Sequence, residues 1–267
     1  MSLIDHKKEK IEDKEFSEDV SEENYSRKDI SRVFAVGKTF TKVNFSQSNL
    51  SSCYFRNCRF IKCNFTGTAF KDSYLKGSSF PESSLKYTTF SGSQLDETIL
   101  DNSLPAEENL ARDFVRNLRV NFTQVGNYEA VNKAASIEVK LTGIHLHKAA
   151  YSREAYYRGK EKYKGLGRVK AVLSHAKWKF LDLLWGNGES LFKIFMSSLA
   201  FIILVASIIF MTSSTSFSDT AISVFYNFWG VKSDLDIARP YIVLLTVIRL
   251  LFFSLFVSVL VKRLAKR

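Results

Sequence analysis

Cysteine and histidine are scarce in this chain of 267 residues, which has 3 cysteines and 4 histidines. So few cysteines imply no disulfide framework, and the soluble part is therefore expected in a reducing compartment. The sequence has no phosphate-binding glycine motif and no nucleophile motif, and the spacing of His145 and His147 places them on different faces of a helix. We therefore expect no enzymatic activity, no cofactor and no metal site.

The amino terminus lacks the apolar stretch of a secretory signal. Residues 1–30 instead mix 10 acidic with 6 basic residues and have few large apolar groups. A segment of this composition cannot bury enough apolar surface to order itself. Residues 1–30 are therefore predicted to be a disordered cytoplasmic tail.

Residues 31–104 carry phenylalanine or leucine at every fifth position over most of their length. A period of five fits neither the roughly 3.6 residues of a helix turn nor the roughly two residues of a strand, so it indicates a solenoid repeat. Small or thiol-bearing residues stand two positions before most of these anchors, and Cys53, Cys58 and Cys63 share that register, which predicts buried structural thiols. The anchors are Phe40, Phe45, Leu50, Phe55, Phe60, Phe65, Phe70, Leu75, Phe80, Leu85, Phe90, Leu95 and Leu100.

This pattern resembles that of the pentapeptide-repeat proteins. The resemblance implies a right-handed quadrilateral β-helix, in which each pentapeptide forms one face and four pentapeptides form a coil. The 13 anchors then give about three coils, which at about 4.8 Å per coil make a rod about 15 Å long. Residues 31–104 carry 9 basic and 5 acidic residues, a balance that argues against the mimicry of DNA by an acidic rod.

Residues 105–147 change to the periodicity of a helix. A Gly-Asn pair at positions 126 and 127 predicts a helix end and a turn. We therefore expect a helical hairpin that caps the end of the solenoid. The apolar stripe of its first helix is Leu110, Phe114, Leu118 and Phe122.

Residues 148–190 form a basic segment, with 10 lysines or arginines between Lys148 and Lys179. Such a segment binds an anionic membrane surface or nucleic acid, or it is an ordinary solvated face. Its place just before an apolar run favours anionic lipid over nucleic acid, because each basic residue near such a surface gains about 1 kcal/mol. The candidates for lipid contact are Lys160, Lys162, Lys164, Lys177, Lys179, Trp178 and Trp185.

Residues 191–267 contain two long apolar runs, Ile194 to Met211 without a charge and Tyr241 to Val261 with only Arg249. A bilayer core of about 30 Å needs about 20 apolar residues in a helix, so both runs predict membrane spans. The alternative is a pair of helices buried in a soluble core. Basic residues before the first run and after the second predict a two-pass protein of the inner (plasma) membrane with both termini cytoplasmic.

The stretch between the spans, residues 212–240, is long for a simple loop. Asp219 can start a short helix there, and Gly230 can end it in a turn. A short helix and a glycine turn between two spans resemble a re-entrant pore loop, which is tolerated in a bilayer only against protein or a water-filled cavity. The alternative is an interfacial helix anchored by Tyr226 and Trp229.

The layout as a whole resembles pentapeptide-repeat proteins with a two-span, potassium-channel-like pore domain. That resemblance implies a tetramer whose re-entrant loops line the pore, although only Gly230 and Val231 match the Thr-Val-Gly-Tyr-Gly filter of potassium channels. A central arginine such as Arg249 faces a bundle interior or a cavity, or else only serves packing. The pore or gate candidates are Tyr226, Asn227, Phe228, Trp229, Gly230, Arg249, Phe253 and Phe256.

These features predict an oligomeric, channel-like membrane protein. Its ion-conducting pore would be formed by two spans and a re-entrant loop, and its cytoplasmic solenoid would serve as a sensor or as a scaffold for a protein partner. Two alternatives stay open. One is a membrane-tethered interaction scaffold without conduction, and the other is a membrane-depolarising effector in stress or defence.

Overall fold

The computed structural model describes residues 8–212, 215–233, 235 and 237–264. Lys266 and Arg267 of the basic tail and residues 1–7 of the expected disordered tail lie outside the described residues. The chain divides between Lys148 and Ala149 into two units, each with its own core.

The first unit begins with short parallel strands that form a β-solenoid. Leu50 pairs with Ile30 on one side and with Phe70 on the other, so the chain returns to the same ladder after about 20 residues. The strands form three ladders, in the orders β1-β3-β6-β9-β10, β2-β5-β8 and β4-β7, and single bridges from Asn24 to Ser84 form a fourth. The solenoid has about four turns. The strands are β1 (Glu9–Glu12), β2 (Val20–Ser21), β3 (Lys28–Ser31), β4 (Phe34–Val36), β5 (Thr39–Thr41), β6 (Asn49–Ser51), β7 (Tyr54–Arg56), β8 (Arg59–Ile61), β9 (Ala69–Lys71) and β10 (Thr89–Ser91).

The five-residue anchors fill the interior of the solenoid. All 13 are buried, and the phenylalanines of successive turns stack face to face. The ring centroids of Phe40 and Phe60 are 4.9 Å apart, and those of Phe60 and Phe80 are 5.2 Å apart. Contact between neighbouring turns buries apolar surface, which stabilises the solenoid by about 25 cal/mol for each Å² buried.

The chain turns from one face to the next through a residue with positive φ, two positions after each anchor from Phe40 to Phe90. This conformation recurs at every fifth residue from Glu22 to Gly92, and most of the residues are not glycine. Each such corner costs a non-glycine residue roughly 1–2 kcal/mol. The ladder offsets this cost, because the corner N–H is used: Lys42 N, for example, donates to Ile61 O at 2.8 Å.

The small residues in the register of the cysteines form a second, polar ladder inside the wall. Ser78 Oγ accepts a hydrogen bond from Cys58 N (2.9 Å) and donates one to Phe55 O (2.6 Å). The thiol of Cys58 makes the same contact one turn earlier, to Ala35 O at 3.4 Å. Burial raises the pKa of all three thiols, Cys53, Cys58 and Cys63, above the ordinary value of 9.0.

We predict that these thiols are inert in the native protein and make its stability fall at alkaline pH. The native state favours the protonated thiol, so this contribution is complete below pH 9.0 and is lost as the pH rises through the raised native pKa. Thiol labelling should report no reactive cysteine until the solenoid unfolds. In a variant with all three cysteines changed to serine, stability should fall less above pH 9.0 than in the parent. Rapid labelling of the folded protein would contradict the prediction.

The solenoid begins well before residue 31. Residues 8–30 were expected to be disordered, but they form its first turn: Ile11 in β1 pairs with Ile30 in β3. Phe16, Val20 and Tyr25 pack partly buried against the phenylalanine core. The charged residues of this segment lie mostly on the outside of the turn, while its few apolar side chains pack inward. The disorder prediction was wrong because it used the average composition of the segment and not the positions of its apolar residues.

A helical hairpin follows the last turn. A single helical turn, α1 (Ile99–Asn102), leads to the hairpin helices α2 (Glu108–Gln124) and α3 (Tyr128–Tyr151). Glu138 of α3 binds two arginines of α2, Arg116 at 2.9 Å and Arg119 at 3.0 Å.

Amide side chains of α2 complete the hydrogen bonds of the last solenoid turn. Asn121, which is fully buried, accepts from Ser93 N (2.9 Å) and donates to Ser93 O (2.8 Å). Asn117 makes the same pair of bonds to Phe90, and Gln124 accepts from Gly92 N. Helix α2 thus takes the place of a further turn and leaves no open strand edge where these residues lie.

The second unit is helical in its described part. Its helices are α4 (Ala155–Gly159), α5 (Leu166–Trp185), α6 (Leu191–Phe210), α7 (Phe217–Trp229) and α8 (Arg239–Leu264). Short 3-10 turns occur at Glu161–Tyr163 and Gly186–Gly188. Ser190 caps α6, its hydroxyl accepting a hydrogen bond from Lys193 N at 3.2 Å.

Candidate functional site in the apolar helices

Helices α6 and α8 are long and apolar enough to cross a membrane. Helix α8 has 26 residues, or about 39 Å of helix, and only Leu245 and Val259 in it are buried. A helix in the core of a soluble protein would be buried over much of its surface. The exposed apolar side chains of α8 therefore suit contact with lipid better than contact with water.

The start of α6 and the end of α8 lie side by side. The carboxylate of Glu189 forms an ion pair with Lys262, and the carbonyl oxygen of Glu189 accepts a hydrogen bond from Arg263 Nη2 at 3.2 Å. The two long helices are therefore antiparallel, with these three residues at one common end.

Helix α7 starts near the opposite end and returns toward the middle of the two long helices. The rings of Phe210, at the end of α6, and Phe217, at the start of α7, are 5.6 Å apart. Val224 and Phe228 of α7 are buried in a core that also contains Ala206 of α6 and Leu245 of α8. The 13 residues of α7 span about 20 Å, and the next helix, α8, starts at Arg239. Helix α7 and its end at Gly230 agree with the short helix and the glycine turn that the sequence predicts.

The inner end of α7 meets Arg249. Gly230 ends the helix with φ +81, and a Cβ added to it would clash with the guanidinium of Arg249. Arg249 is the eleventh residue of α8, about 15 Å along that helix. The carboxyl-terminal end of a helix carries a partial negative charge, so it is a favourable place for an arginine. Within the described residues, no hydrogen bond or ion pair satisfies this guanidinium.

Arg249 also lines an apolar cavity of about 460 Å³. All three long segments contribute to it: Ile194, Phe195 and Ser198 come from α6, and Phe228 and Trp229 come from α7. Five of the predicted pore or gate residues therefore come together here, including Phe253 and Phe256 of α8. The residues of α6 in the wall were not among the predicted ones, because they lie 30 or more positions before the predicted residues of the wall and carry no distinctive chemistry.

Tyr226 and Asn227 lie on the other side of α7. Asn227 Nδ2 donates to Ser223 O (2.9 Å) and to Ser233 Oγ (2.7 Å), so it holds the return segment against the helix. Tyr226 is exposed beside a second, more polar cavity that Asp219 and Lys232 also line. Residues 226–229 are helical and therefore do not present the row of backbone carbonyls that a filter would need.

The candidates for lipid contact divide into two groups. Three lysines make contacts close by: Lys160 Nζ lies 3.9 Å from the ring centroid of Tyr156, Lys162 Nζ lies 5.5 Å from that of Tyr163, and Lys164 pairs with Glu161. The other two, Lys177 and Lys179, are exposed on α5, whereas Trp178 and Trp185 are half-buried.

We predict that Gly230→Ala destabilises the inner end of α7 more than its φ angle alone requires. An alanine at positive φ costs roughly 1–2 kcal/mol, and here it must also displace Arg249. Gly126→Ala is the matched control, because Gly126 ends α2 with φ +75 and has nothing within 4 Å of an added Cβ. Hydrogen exchange in the last turns of α7 and α2 measures both effects. Equal losses of protection would show that the Arg249 side chain moves aside without cost, contrary to the prediction.

Comparison with known proteins shows what the repeats of the solenoid are similar to. Residues 38–110 match the family model described as "Pentapeptide repeat region". The solenoid is therefore similar to pentapeptide-repeat proteins over these residues. The match ends in the first residues of α2, so it does not include α6, α7 or α8.

Two solved structures of pentapeptide repeat proteins are similar to part of this chain. A pentapeptide repeat protein from the thylakoid lumen of Arabidopsis thaliana has 15% identity and a TM-score of 0.24, and the alignment covers 36% of this chain and 86% of that chain. A pentapeptide repeat protein from the cyanobacterium Cyanothece 51142 has 13% identity and a TM-score of 0.15, with 33% and 84% covered. No curated protein matches the chain.

Proposed function

We propose that this chain is an oligomeric, channel-like membrane protein in which α6, α7 and α8 of several copies, four being the favoured number, surround an ion-conducting path. The observation that carries the proposal is the re-entrant course of α7. The described residues between Gly230 and Ala238 have no regular secondary structure. This stretch starts beside Arg249, which lies well inside the long helix α8. Such backbone at membrane depth needs protein or water around it, because lipid cannot satisfy its polar groups. Neighbouring copies around a water-filled path would provide both.

Arg249 and the phenylalanines beside it are the proposed control point of this path. An arginine near the centre of a membrane-spanning helix costs at least about 2.5 kcal/mol. This cost is lower where the side chain faces water, which explains the presence of Arg249 if it lines a water-filled path. Copies of Arg249 around an axis would form a ring of positive charge that disfavours cations. Phe253 and Phe256 would form an apolar constriction on the cytoplasmic side of that ring.

We place both termini in the cytoplasm and the protein in the inner (plasma) membrane. The pairing of Glu189 with Lys262 supports a common side for the start of α6 and the end of α8. That end is rich in basic residues, as cytoplasmic ends are. The solenoid would then be a cytoplasmic scaffold or sensor. Four ladders per turn support a quadrilateral coil, and its right-handed sense is what the resemblance to pentapeptide-repeat proteins implies. The proposal includes no enzymatic step, no cofactor and no metal.

Ion flux through purified protein in liposomes tests this function. We predict that Arg249→Ala raises the permeability ratio of K⁺ to Cl⁻ by roughly tenfold or more, since one removed charge at low dielectric is worth more than about 1.4 kcal/mol. Arg239→Ala is the matched control, because Arg239 is an exposed arginine at the first position of the same helix. A protein that is strictly monomeric in lipid and passes no ions in either form would overturn the proposal.

The helical state of Tyr226–Trp229 favours a second candidate, a membrane-tethered scaffold without conduction. In that role α6 and α8 are an anchor, and the pentapeptide-repeat region binds a cytoplasmic protein. Deletion of residues 212–240 separates the two functions. A scaffold without that segment still brings its partner to the membrane, whereas a channel without it is inactive.

A further inference from the structure

Helix α5 presents an apolar stripe that no described residue of the second unit covers fully. Its five members are each more than half exposed, although they are large apolar residues. At about 100° per residue, their positions fall within an arc of about 100° on one side of the helix. In water a stripe of this length would be unfavourable. The members are Leu166, Val169, Leu173, Phe180 and Leu183.

Basic side chains border the stripe on both sides. Lys170 and Lys177 fall along one edge, and Arg168 and Lys179 fall along the other. The one acidic residue of α5, Asp182, lies on the inner side of the helix, where it pairs with Lys193 at 2.8 Å. The outer surface of α5 is therefore apolar in the middle, positive at both edges and free of negative charge.

The opposite side of α5 is occupied by the protein. Ala171 and His175 are buried, and Ala171 packs in a small core with Tyr157 and Tyr163. The stripe therefore cannot be buried by a rotation of the helix without the loss of this core. The half-buried Trp178 also lies on the inner side, about 160° from the middle of the stripe.

Helix α5 is also close to the apolar helices in the chain. Five residues separate its end at Trp185 from the start of α6 at Leu191. Between α5 and α6 lies a groove of about 760 Å³ with mainly apolar walls, which include Phe180, Leu183 and Phe192. Lys179 also lines it, as do Lys193 and Asp182, which pair with each other. An apolar groove with Lys179 in its wall suits a chain of a lipid whose headgroup is anionic.

We propose that α5 lies in the interface of an anionic bilayer, with its apolar stripe among the upper parts of the acyl chains and its lysines at the lipid phosphates. This inference rests on the proposed insertion of α6 and α8 into the membrane. It identifies α5 as the part of the basic segment that contacts anionic lipid. The contact is made by the stripe and its edges, not by Trp178 or by the lysines at 160, 162 and 164. An amphipathic helix of this kind gains both from buried apolar area and from the attraction of anionic lipid.

The test uses a single introduced cysteine as a reporter in the full chain. The native thiols are buried, so the cysteine of Leu173→Cys can be labelled with an environment-sensitive fluorophore. In liposomes that contain phosphatidylglycerol, the label should emit at shorter wavelength, and spin labels placed high on the acyl chains should quench most of its fluorescence. Val36→Cys, at an exposed position in the solenoid, should show neither change.

A second arm tests the charge at the edges. Quenchers carried on phosphatidylglycerol should act more strongly on the label than the same quenchers on phosphatidylcholine, with local enrichment of roughly fivefold for each lysine that contacts lipid. The double change Lys170→Gln and Lys177→Gln should remove this difference. The matched control, Lys160→Gln with Lys162→Gln, removes the same charge outside the stripe and should leave the difference intact.

A third label separates this inference from the proposed function. Leu250→Cys lies at an exposed position of α8 and reports insertion of that helix by the same quenching. If Leu250→Cys is quenched and Leu173→Cys stays in water, the interfacial placement of α5 is wrong and the membrane domain stands. A label at 173 that is shielded from water but is not quenched by lipid would also overturn the inference, because a protein surface would then cover the stripe.

Discussion

Replacing Phe60 with alanine should destabilise the solenoid by about 3–5 kcal/mol, the range measured for deletion of a buried aromatic side chain. Phe60 is 1% exposed and is the middle ring of the Phe40–Phe60–Phe80 stack. It also meets Phe65 edge to face, with 5.3 Å between ring centroids. The deletion therefore opens a cavity that touches three turns, and neighbouring turns are the main source of stability in a repeat fold.

Hydrogen exchange on the full chain measures this loss, because the solenoid amides report their own opening free energy. Protection in β5 and β8 should fall by roughly two to four orders of magnitude. Tyr128→Ala is the control: it removes a similar number of atoms from a side chain that is 62% exposed, and it should change stability by less than about 0.5 kcal/mol. Similar losses in the two variants would show that the stacked rings are not the core.

Asn121→Ala should cost about 2–6 kcal/mol. The side chain is fully buried, and its removal leaves both the N–H and the C=O of Ser93 without a partner, at about 1–3 kcal/mol each. The loss should be local, since α2 would separate from β10 before the inner turns open. Hydrogen exchange should therefore increase in α2 and β10 and stay unchanged in β5 and β8.

Gln124→Ala makes a matched comparison, because Gln124 also accepts a bond from a backbone N–H of the last turn, at 2.9 Å from Gly92 N. Gln124 is exposed, so water can replace it, and the cost should be below about 1 kcal/mol. If both substitutions have equally small effects, the amide side chains of α2 do not close the strand edge of the last solenoid turn. Self-association of the Asn121→Ala variant through an exposed strand edge would support the closing role.

The five-residue period was sufficient to predict the solenoid, its phenylalanine interior and its buried thiols, because each repeat places the same residue type in the same environment. It did not reveal the first turn. The spacing is five from Val20 through Tyr25 and Ile30, but Phe16 stands four positions before Val20, so the register breaks there. The same break appears in the structure, where Ile11 pairs with Ile30 across 19 positions while Ile30 pairs with Leu50 across 20.

The amide contacts of α2 left a signal that periodicity in apolar residues does not capture. Asn117, Asn121 and Gln124 recur at helical spacing beside the apolar stripe, a pattern in which polar residues share the packed face of a helix. The contact between Gly230 and Arg249 left no such signal, since it joins residues 19 positions apart through the fold of α7 against α8. The composition of the basic segment was enough to predict its positive charge. Which of its side chains lie on the same face became clear only from the helix over Leu166–Trp185.

Extraction of the full chain from cell membranes with alkaline carbonate tests most directly whether α6 and α8 span the bilayer. Helices α6 and α8, if they cross the bilayer, should keep the protein in the membrane pellet, where only detergent releases it. A chain shortened to residues 1–190, which keeps α5 but has neither long helix, should move to the supernatant as a peripheral protein. Release of the full chain by carbonate alone would contradict the claim that α6 and α8 are membrane spans.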